Sequence, residues 1–136
     1  MKKVFADTAY FLALLNRDDA LHGEALRVTD QGGFTMVTTA WVMTELADAY
    51  SSACHREGFL RFYRFLKGDP RTELIEASAE QFDKGIELYS RRLDKDWSLT
   101  DCISFVVMKD RGIQDALTGD HHFEQAGFVA LLRTED

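Results

Sequence analysis

Lys95-Asp96-Trp97-Ser98-Leu99-Thr100-Asp101-Cys102-Ile103-Ser104-Phe105-Val106-Val107-Met108 is the stretch whose reading decides the fold. Ser98 followed three residues later by Asp101 has the pattern of a helix start, with Ser98 as N-cap. Asp101 then falls in the first turn, where the helix N-terminus favours a negative charge. From Cys102 to Met108 nearly every side chain is apolar or small, which predicts a helix buried most of the way round. An aspartate opening such a helix sits at the rim of the core. Gly112 is its stop signal.

Outward from that helix, strands and helices alternate. Lys2–Ala6 reads as a short buried strand ended by Asp7-Thr8, and helical spacing follows through Ala9, Tyr10, Leu12, Ala13 and Leu15. A second helix is expected from about Ala20 to Thr29, ending at Gly32-Gly33. Phe34–Thr38 is β-rich and reads as strand two. Thr38 or Thr39 can cap a helix from Ala40 to about Ser52, and another spans roughly Arg56 to Lys67, closed by Gly68-Asp69-Pro70. Thr72–Glu76 is expected as an edge strand. Ala79 to Leu93 follows as a long amphipathic helix with Phe82, Ile86, Leu88 and Tyr89 inward. Beyond the central helix, Asp115–Thr118 reads as a strand, Gly119–Phe123 as a brief helical turn, and Gly127–Leu132 as the last strand. This alternation predicts an α/β fold, a parallel sheet with helices on both faces. With no internal repeat and no linker, residues 1–136 are expected to form a single domain.

Bulk composition sets outer bounds. A hydrophobic share of 46% with 29% charged residues is ordinary for a globular protein. No apolar run approaches the roughly 18–20 residues that span a bilayer, and the N-terminus turns acidic at Asp7 before any long apolar region, against a signal peptide. Cys54 and Cys102 form no metal-binding spacing, so reduced thiols in a cytoplasmic protein are expected. The net charge of −7 argues against a nucleic-acid binder that relies on a global basic surface. It leaves room for one that recruits metal ions to offset its own carboxylates.

In open parallel sheets functional groups gather at the carboxyl ends of the strands. Asp7 directly follows strand one and Asp120 follows strand four, while Asp101 begins the helix that leads into strand four. Taken singly, Asp7 and Asp120 fit helix N-caps, Asp101 a first-turn acid, and Asp96 a loop acid. Glu45 lies at the border of the apolar stripe of its helix, on the side of Trp41 and Ala49. Taken together, such carboxylates repel one another by roughly 4 kcal/mol per close pair at an effective dielectric near 20. A fold keeps such a cluster when a cation offsets it. Oxygen ligands without cysteine suit a hard ion, Mg²⁺ or Mn²⁺.

Val4-Phe5-Ala6-Asp7-Thr8, Thr44-Glu45, Lys95-Asp96 with Trp97–Cys102, and Leu117-Thr118-Gly119-Asp120-His121-His122-Phe123 resemble the successive motifs of PIN domains, and in particular the VapC-type toxins of bacterial and archaeal toxin–antitoxin pairs. The resemblance runs along essentially the whole chain. It implies a PIN-like three-layer α/β/α sandwich around a central, mainly parallel sheet of four or five strands. It also implies a metal-dependent endoribonuclease with Asp7, Glu45, Asp101 and Asp120 as active acids. Asp96 falls where many relatives carry a further acid, for an outer-shell or second-metal role. Thr8 and Thr118 match hydroxyl positions that hold a metal water or a phosphate oxygen. His121 and His122 have no settled role in the family and are expected at the surface. Mg²⁺ or Mn²⁺ held by the acids would activate a water for in-line attack on a phosphodiester, leaving 5′-phosphate and 3′-hydroxyl ends. The partners implied are an RNA substrate, a small antitoxin that masks the acids, and a second copy of the chain in a homodimer, with no membrane. Basic side chains on or near the fourth helix, Arg56, Arg61, Arg64, Lys67 and Arg71, and the group Arg91, Arg92 and Lys95 are candidates to meet RNA phosphates.

Two alternatives stand beside this reading: a freestanding RNA-processing PIN nuclease, and a catalytically silent PIN-fold binding module. An aspartate-nucleophile phosphatase needs a second acid where Ala9 stands, and a receiver domain needs a lysine where only Arg133 follows the last strand.

Overall fold

The computed structural model describes residues 1–133; the last three residues of the expected domain lie outside the described residues. The order of elements is β1 (Lys2–Ala6), α1 (Thr8–Leu15), α2 (His22–Gln31), β2 (Phe34–Thr39), α3 (Ala40–Ala49), α4 (Arg56–Gly68), β3 (Thr72–Ile75), α5 (Ala79–Arg91), α6 (Leu99–Arg111), β4 (Asp115–Leu117), α7 (His121–Gln125) and β5 (Val129–Ala130). The strands form one sheet in the order β3-β2-β1-β4-β5, and every pairing is parallel. This is the expected α/β architecture, at the upper end of the expected four or five strands and wholly parallel.

The chain builds β2 and β3 on one side of β1, then crosses to lay β4 and β5 on the other. The crevice at the carboxyl ends of β1 and β4 is therefore the topological switch point, where open parallel sheets place their functional groups. β1 earns the central position by composition: Val4, Phe5 and Ala6 are buried, as a strand covered on both faces requires. Its ladder to β4 pairs Phe5 with Ala116 and Ala6 with Leu117. Asp7 continues it, its N–H donating to the Leu117 carbonyl at 3.2 Å.

The helix around which the sequence was read forms as expected. Ser98 Oγ accepts the Asp101 N–H at 3.0 Å and Asp101 Oδ2 accepts the Ser98 N–H at 3.1 Å, a complete capping box. Residues Asp101–Phe105, Val107 and Met108 are buried. Gly112 ends α6 at φ 65°, the left-handed conformation that a residue without Cβ adopts freely. Trp97 and Phe105 meet at 5.0 Å, Phe105 and Phe123 at 4.9 Å, and Phe5 and Phe123 at 6.4 Å between centroids. This aromatic chain ties β1, α6 and α7 together close beneath Asp7, Asp101 and Asp120.

Most element ends fall within two or three residues of their sequence reading, and two elements differ further. The last strand is only Val129–Ala130 and not Gly127–Leu132, because β4 offers just Asp115 and Ala116 as ladder partners. Beyond it, the N–H groups of Leu131 and Leu132 donate to the carbonyls of Ala116 and Thr118 while the chain turns. In α5, Phe82, Ile86 and Tyr89 face outward, each 40% exposed or more; of the four residues expected inward, Leu88 alone packs against the core. The cause is Gly85. A Cβ there would stand 2.3 Å from Ile103 Cγ1, so the missing side chain lets α5 close on α6 along the Gly85 face. The helix is thereby rotated, and its larger apolar stripe is left on the outside.

Candidate active site

A cleft of about 390 Å³ opens at the switch point, and Asp7, Glu45, Asp96, Asp101 and Asp120 all line it, together with Thr8, Ser98 and His122. They arrive from β1, α3, the loop before α6, α6 itself, and the β4–α7 turn. Every acid singled out in the sequence thus reaches the same cavity. Thr118 lies buried under its floor.

The three central aspartates are held in three different ways. Asp7 occupies the N-cap position of α1, yet its side chain makes no capping hydrogen bond. It is instead bound from below: Thr118 Oγ1 donates to Asp7 Oδ2 at 2.9 Å and accepts the Asp120 N–H at 3.0 Å. One buried hydroxyl therefore spaces two of the acids. Asp101 is fixed by its capping box, and Asp120 caps α7 by accepting the His122 N–H on Oδ1 at 2.9 Å. For Asp101 and Asp120 a local structural role and a place in the cleft coexist.

Electrostatics mark Asp7 as the centre. Burial, opposed by the Thr118 hydrogen bond and reinforced by the charges of Asp101 and Glu45, pushes its carboxyl up to about 7. Burial also raises Asp101, against the Ser98 N–H and with the charge of Asp120. Burial together with neighbouring like charges at a cleft is the arrangement by which functional sites shift their acids. Cys102, next in sequence to Asp101, is pushed up to about 11 by burial and is an inert packed thiol.

The donor set fits a divalent cation. Five carboxylates converge with no lysine or arginine lining the cleft. Thr8 Oγ1 is buried in the same place without a hydrogen-bond partner, a polar atom suited to a metal's water. Among the described residues, Asp120, His121 and His122 form the one trio whose ligand atoms all fall within 4.8 Å of one another; Asp7, Asp101 and Asp120 stand wider apart, as like charges do.

Two surface expectations divide. His121 is exposed, but His122 is turned inward, with its side chain only 20% exposed. Nothing in composition marked it; the signal was its place two residues after a capping aspartate, in a turn too short to carry its side chain away from the cleft. The basic side chains of α4 do not line the cleft: Arg61 and Arg64 face Glu57, Arg56 donates to the Ser51 carbonyl, and Lys67 covers Tyr63. Arg92 and Lys95 line a second cavity of about 300 Å³ that shares Asp96 with the first, and Arg92 stacks on Trp97 at 5.1 Å.

An all-parallel five-stranded sheet with carboxylates gathered at its switch point defines the class, and sequence comparison agrees: the PIN domain profile matches residues 4–129, so the chain belongs to the PIN domain family. Among its relatives is the 23S rRNA-specific endonuclease VapC20 of Mycobacterium tuberculosis, 32% identical over 129 residues, which cover 94% of this chain and 97% of that protein. The crystal structure of VapC20, described as a toxin that cleaves the sarcin–ricin loop, superposes with a TM-score of 0.84 at 27% identity, over 93% of this chain and 96% of that one. A second solved structure, VapBC2 of Rickettsia felis bound to a DNA fragment from its promoter, shares the fold with a TM-score of 0.66 at 16% identity, over 94% and 96% of the two chains. The chain is thus a homologue of the VapC toxin endonucleases. Among the described residues no helix is long and apolar enough to cross a membrane.

Proposed function

We propose that this protein is a divalent-metal-dependent endoribonuclease, the toxin of a toxin–antitoxin pair, with ribosomal RNA as its substrate. The observation that carries the reading is the convergence of Asp7, Glu45, Asp101 and Asp120 on one cleft at the carboxyl ends of β1 and β4. Bound Mg²⁺ or Mn²⁺ supplies Lewis-acid polarisation of the phosphodiester and of the attacking water. Asp7, Asp101 and Asp120 hold the ion, and Thr118 keeps Asp7 and Asp120 in register. Glu45, across the cleft, accepts the proton of the attacking water. Asp96, at the edge shared with the second cavity, serves as an outer-shell acid. Thr8 steadies a water through its unpartnered hydroxyl. Arg92 and Lys95 offset the phosphates of an RNA strand leaving the acids. VapC20 is named for cleavage of 23S rRNA, which makes the sarcin–ricin loop the first substrate to test.

The deciding experiment incubates purified protein with 23S rRNA and with a sarcin–ricin loop oligonucleotide. Cleavage is expected with Mg²⁺ or Mn²⁺, with 5′-phosphate ends, and is lost on chelation. Cleavage that persists in excess chelator would exclude the metal, and absence of cleavage under every metal would leave a binding module.

By the same kinship the partner is a small antitoxin that covers the acids. A second copy of the chain is the expected occupant of the outer face of α5. Phe82, Ile86 and Tyr89 make an apolar stripe at helical spacing, and Leu93, 83% exposed, follows just beyond the helix end. Glu80 and Asp83 lie at its start and Arg91 at its end, so an antiparallel two-fold pairing sets opposite charges against each other. Light scattering should give a dimer for the native chain and a monomer of unchanged helicity for Ile86→Asp. A monomeric native chain would dismiss the interface.

A further inference from the structure

The second cavity, of about 300 Å³, shares only Asp96 with the acidic cleft, and attraction to phosphates alone does not account for how its wall is built. The Arg92 guanidinium lies over the Trp97 ring, 5.1 Å from the centroid. One edge of its fork is already engaged: Nε donates to Asp94 Oδ1 at 3.0 Å and Nη2 donates to Oδ2 at 3.1 Å. The indole beneath is fixed as well. Trp97 is 6% exposed, meets Phe105 edge to face, and donates its Nε1–H to Gln125 at 3.0 Å. An arginine paired bidentately and backed by a locked indole is held as a plane, not as a free charge. Its side chain is 40% exposed and lines the cavity, so the face turned away from the indole is open.

Unpaired RNA bases are held on such planes, aromatic or guanidinium, because every base presents a π-face. The space agrees, since the cavity lies at the lower end of the range that takes small organic ligands. Tyr89, 48% exposed, stands on the same wall and adds an aromatic surface; it also belongs to the outer stripe of α5, so the cavity opens beside that face. Lys95 lines the cavity and Asp96 joins it to the cleft. A strand whose scissile phosphate lies among the acids therefore reaches Arg92 with a neighbouring nucleotide.

We propose that the cavity beside Asp96 is a nucleobase site, in which an unpaired base of the RNA, next to the cleaved bond, stacks on the Arg92 guanidinium with Trp97 as its backing. The inference rests on the ribonuclease reading above and adds to it a second contact: the acids take the phosphate and the Arg92 plane takes a base. A base inside a duplex cannot enter the cavity, so the site favours loops and other unpaired segments. Stacking tolerates any base, and the site contributes position along the strand more than sequence.

The test has two arms, both on the full chain. In the first, ribonucleoside 5′-monophosphates and ribose 5-phosphate are titrated in chelator while the two indole N–H signals are followed by NMR, with Trp41→Phe to tell them apart. The nucleotides should shift the Trp97 signal and leave that of Trp41 in place, and ribose 5-phosphate should shift neither. An equal response to ribose 5-phosphate makes the cavity an anion site and overturns the proposal, as does a Trp97 signal that no nucleotide moves. In the second arm, cleavage of the sarcin–ricin loop oligonucleotide is compared for the native chain and Arg92→Lys, which keeps the charge and removes the plane. Arg92→Lys should raise KM roughly tenfold with kcat little changed. An abasic residue beside the cleaved bond, tried on either side, should cost the native chain a similar factor at one of the two positions. Combined with Arg92→Lys it should cost no more than either change alone. A fully active Arg92→Lys, or losses that multiply, overturns the proposal. Absence of cleavage under every metal removes the ribonuclease reading, and the chelator arm still decides whether the cavity takes a base.

Discussion

Asp7→Asn should abolish RNA cleavage while leaving the metal-free protein as stable as the native chain, or more so. The loss of activity should exceed the roughly 10–100-fold typical of outer partners of metal ligands, because Asp7 is the most buried of the acids and the one bound by Thr118. The stability argument runs opposite to that for an ordinary buried polar group. Asp7 makes no cap hydrogen bond that Asn would forfeit, and an amide oxygen can still accept from Thr118. Its carboxyl is pushed up to about 7 in the folded chain, while the unfolded chain releases the proton near the ordinary 3.8. Between those values the folded form binds more protons than the unfolded form, so stability falls as pH rises across that window and levels off above it. About three units correspond to about 4 kcal/mol. Denaturant unfolding in chelator at pH 5 and pH 8 should therefore show the native chain weaker at pH 8 and Asp7→Asn nearly level. A substituted protein that loses more than about 2 kcal/mol at pH 8 would make Asp7 a structural residue after all.

Asp101 should separate two roles that Asp7 does not combine. Asp101→Asn and Asp101→Ala are both expected to eliminate cleavage, since neither supplies an anionic ligand. Their stabilities should differ. Asparagine keeps an oxygen for the Ser98 N–H at the position Oδ2 holds now, and it removes a charge that burial and Asp120 disfavour. Metal-free Asp101→Asn should therefore match or exceed the native chain. Alanine discards half of the capping box and should be less stable than Asp101→Asn by about 1 kcal/mol, a few degrees in melting temperature. Equal melting of the two variants would mean that the cap contributes nothing. Retained cleavage in either would remove Asp101 from the ion.

The contrast between these two acids shows what the sequence could and could not disclose. Ser98 and Asp101 were legible as a helix start because capping depends on residues three apart. The central strand and the buried helix were legible because continuous apolar runs have few other uses. That Asp7 and Asp120 share a rim followed from their places after β1 and β4. What was hidden depends on contacts across the chain. Phe82, Ile86 and Tyr89 have the periodicity of a core face, and only the approach of Gly85 to Ile103 turns them out. The short β5 is set by how little ladder β4 leaves exposed. His122 looked like any polar residue in a turn, because the acid beside its ring is brought there by α6. Thr118 could be matched to a motif, but its bridge from Asp7 to Asp120 is a property of the assembled sheet.

The bond from Thr118 to Asp7 spans 111 positions of chain, and β1 acquires its β4 neighbour only after the whole β2–α6 excursion is complete. A nascent polypeptide still lacking Asp120 has neither that clasp nor the last of its acids. A growing chain therefore lacks an assembled cleft for most of its synthesis, and the cleft is complete only once the segment carrying β4 and Asp120 has emerged and closed the sheet.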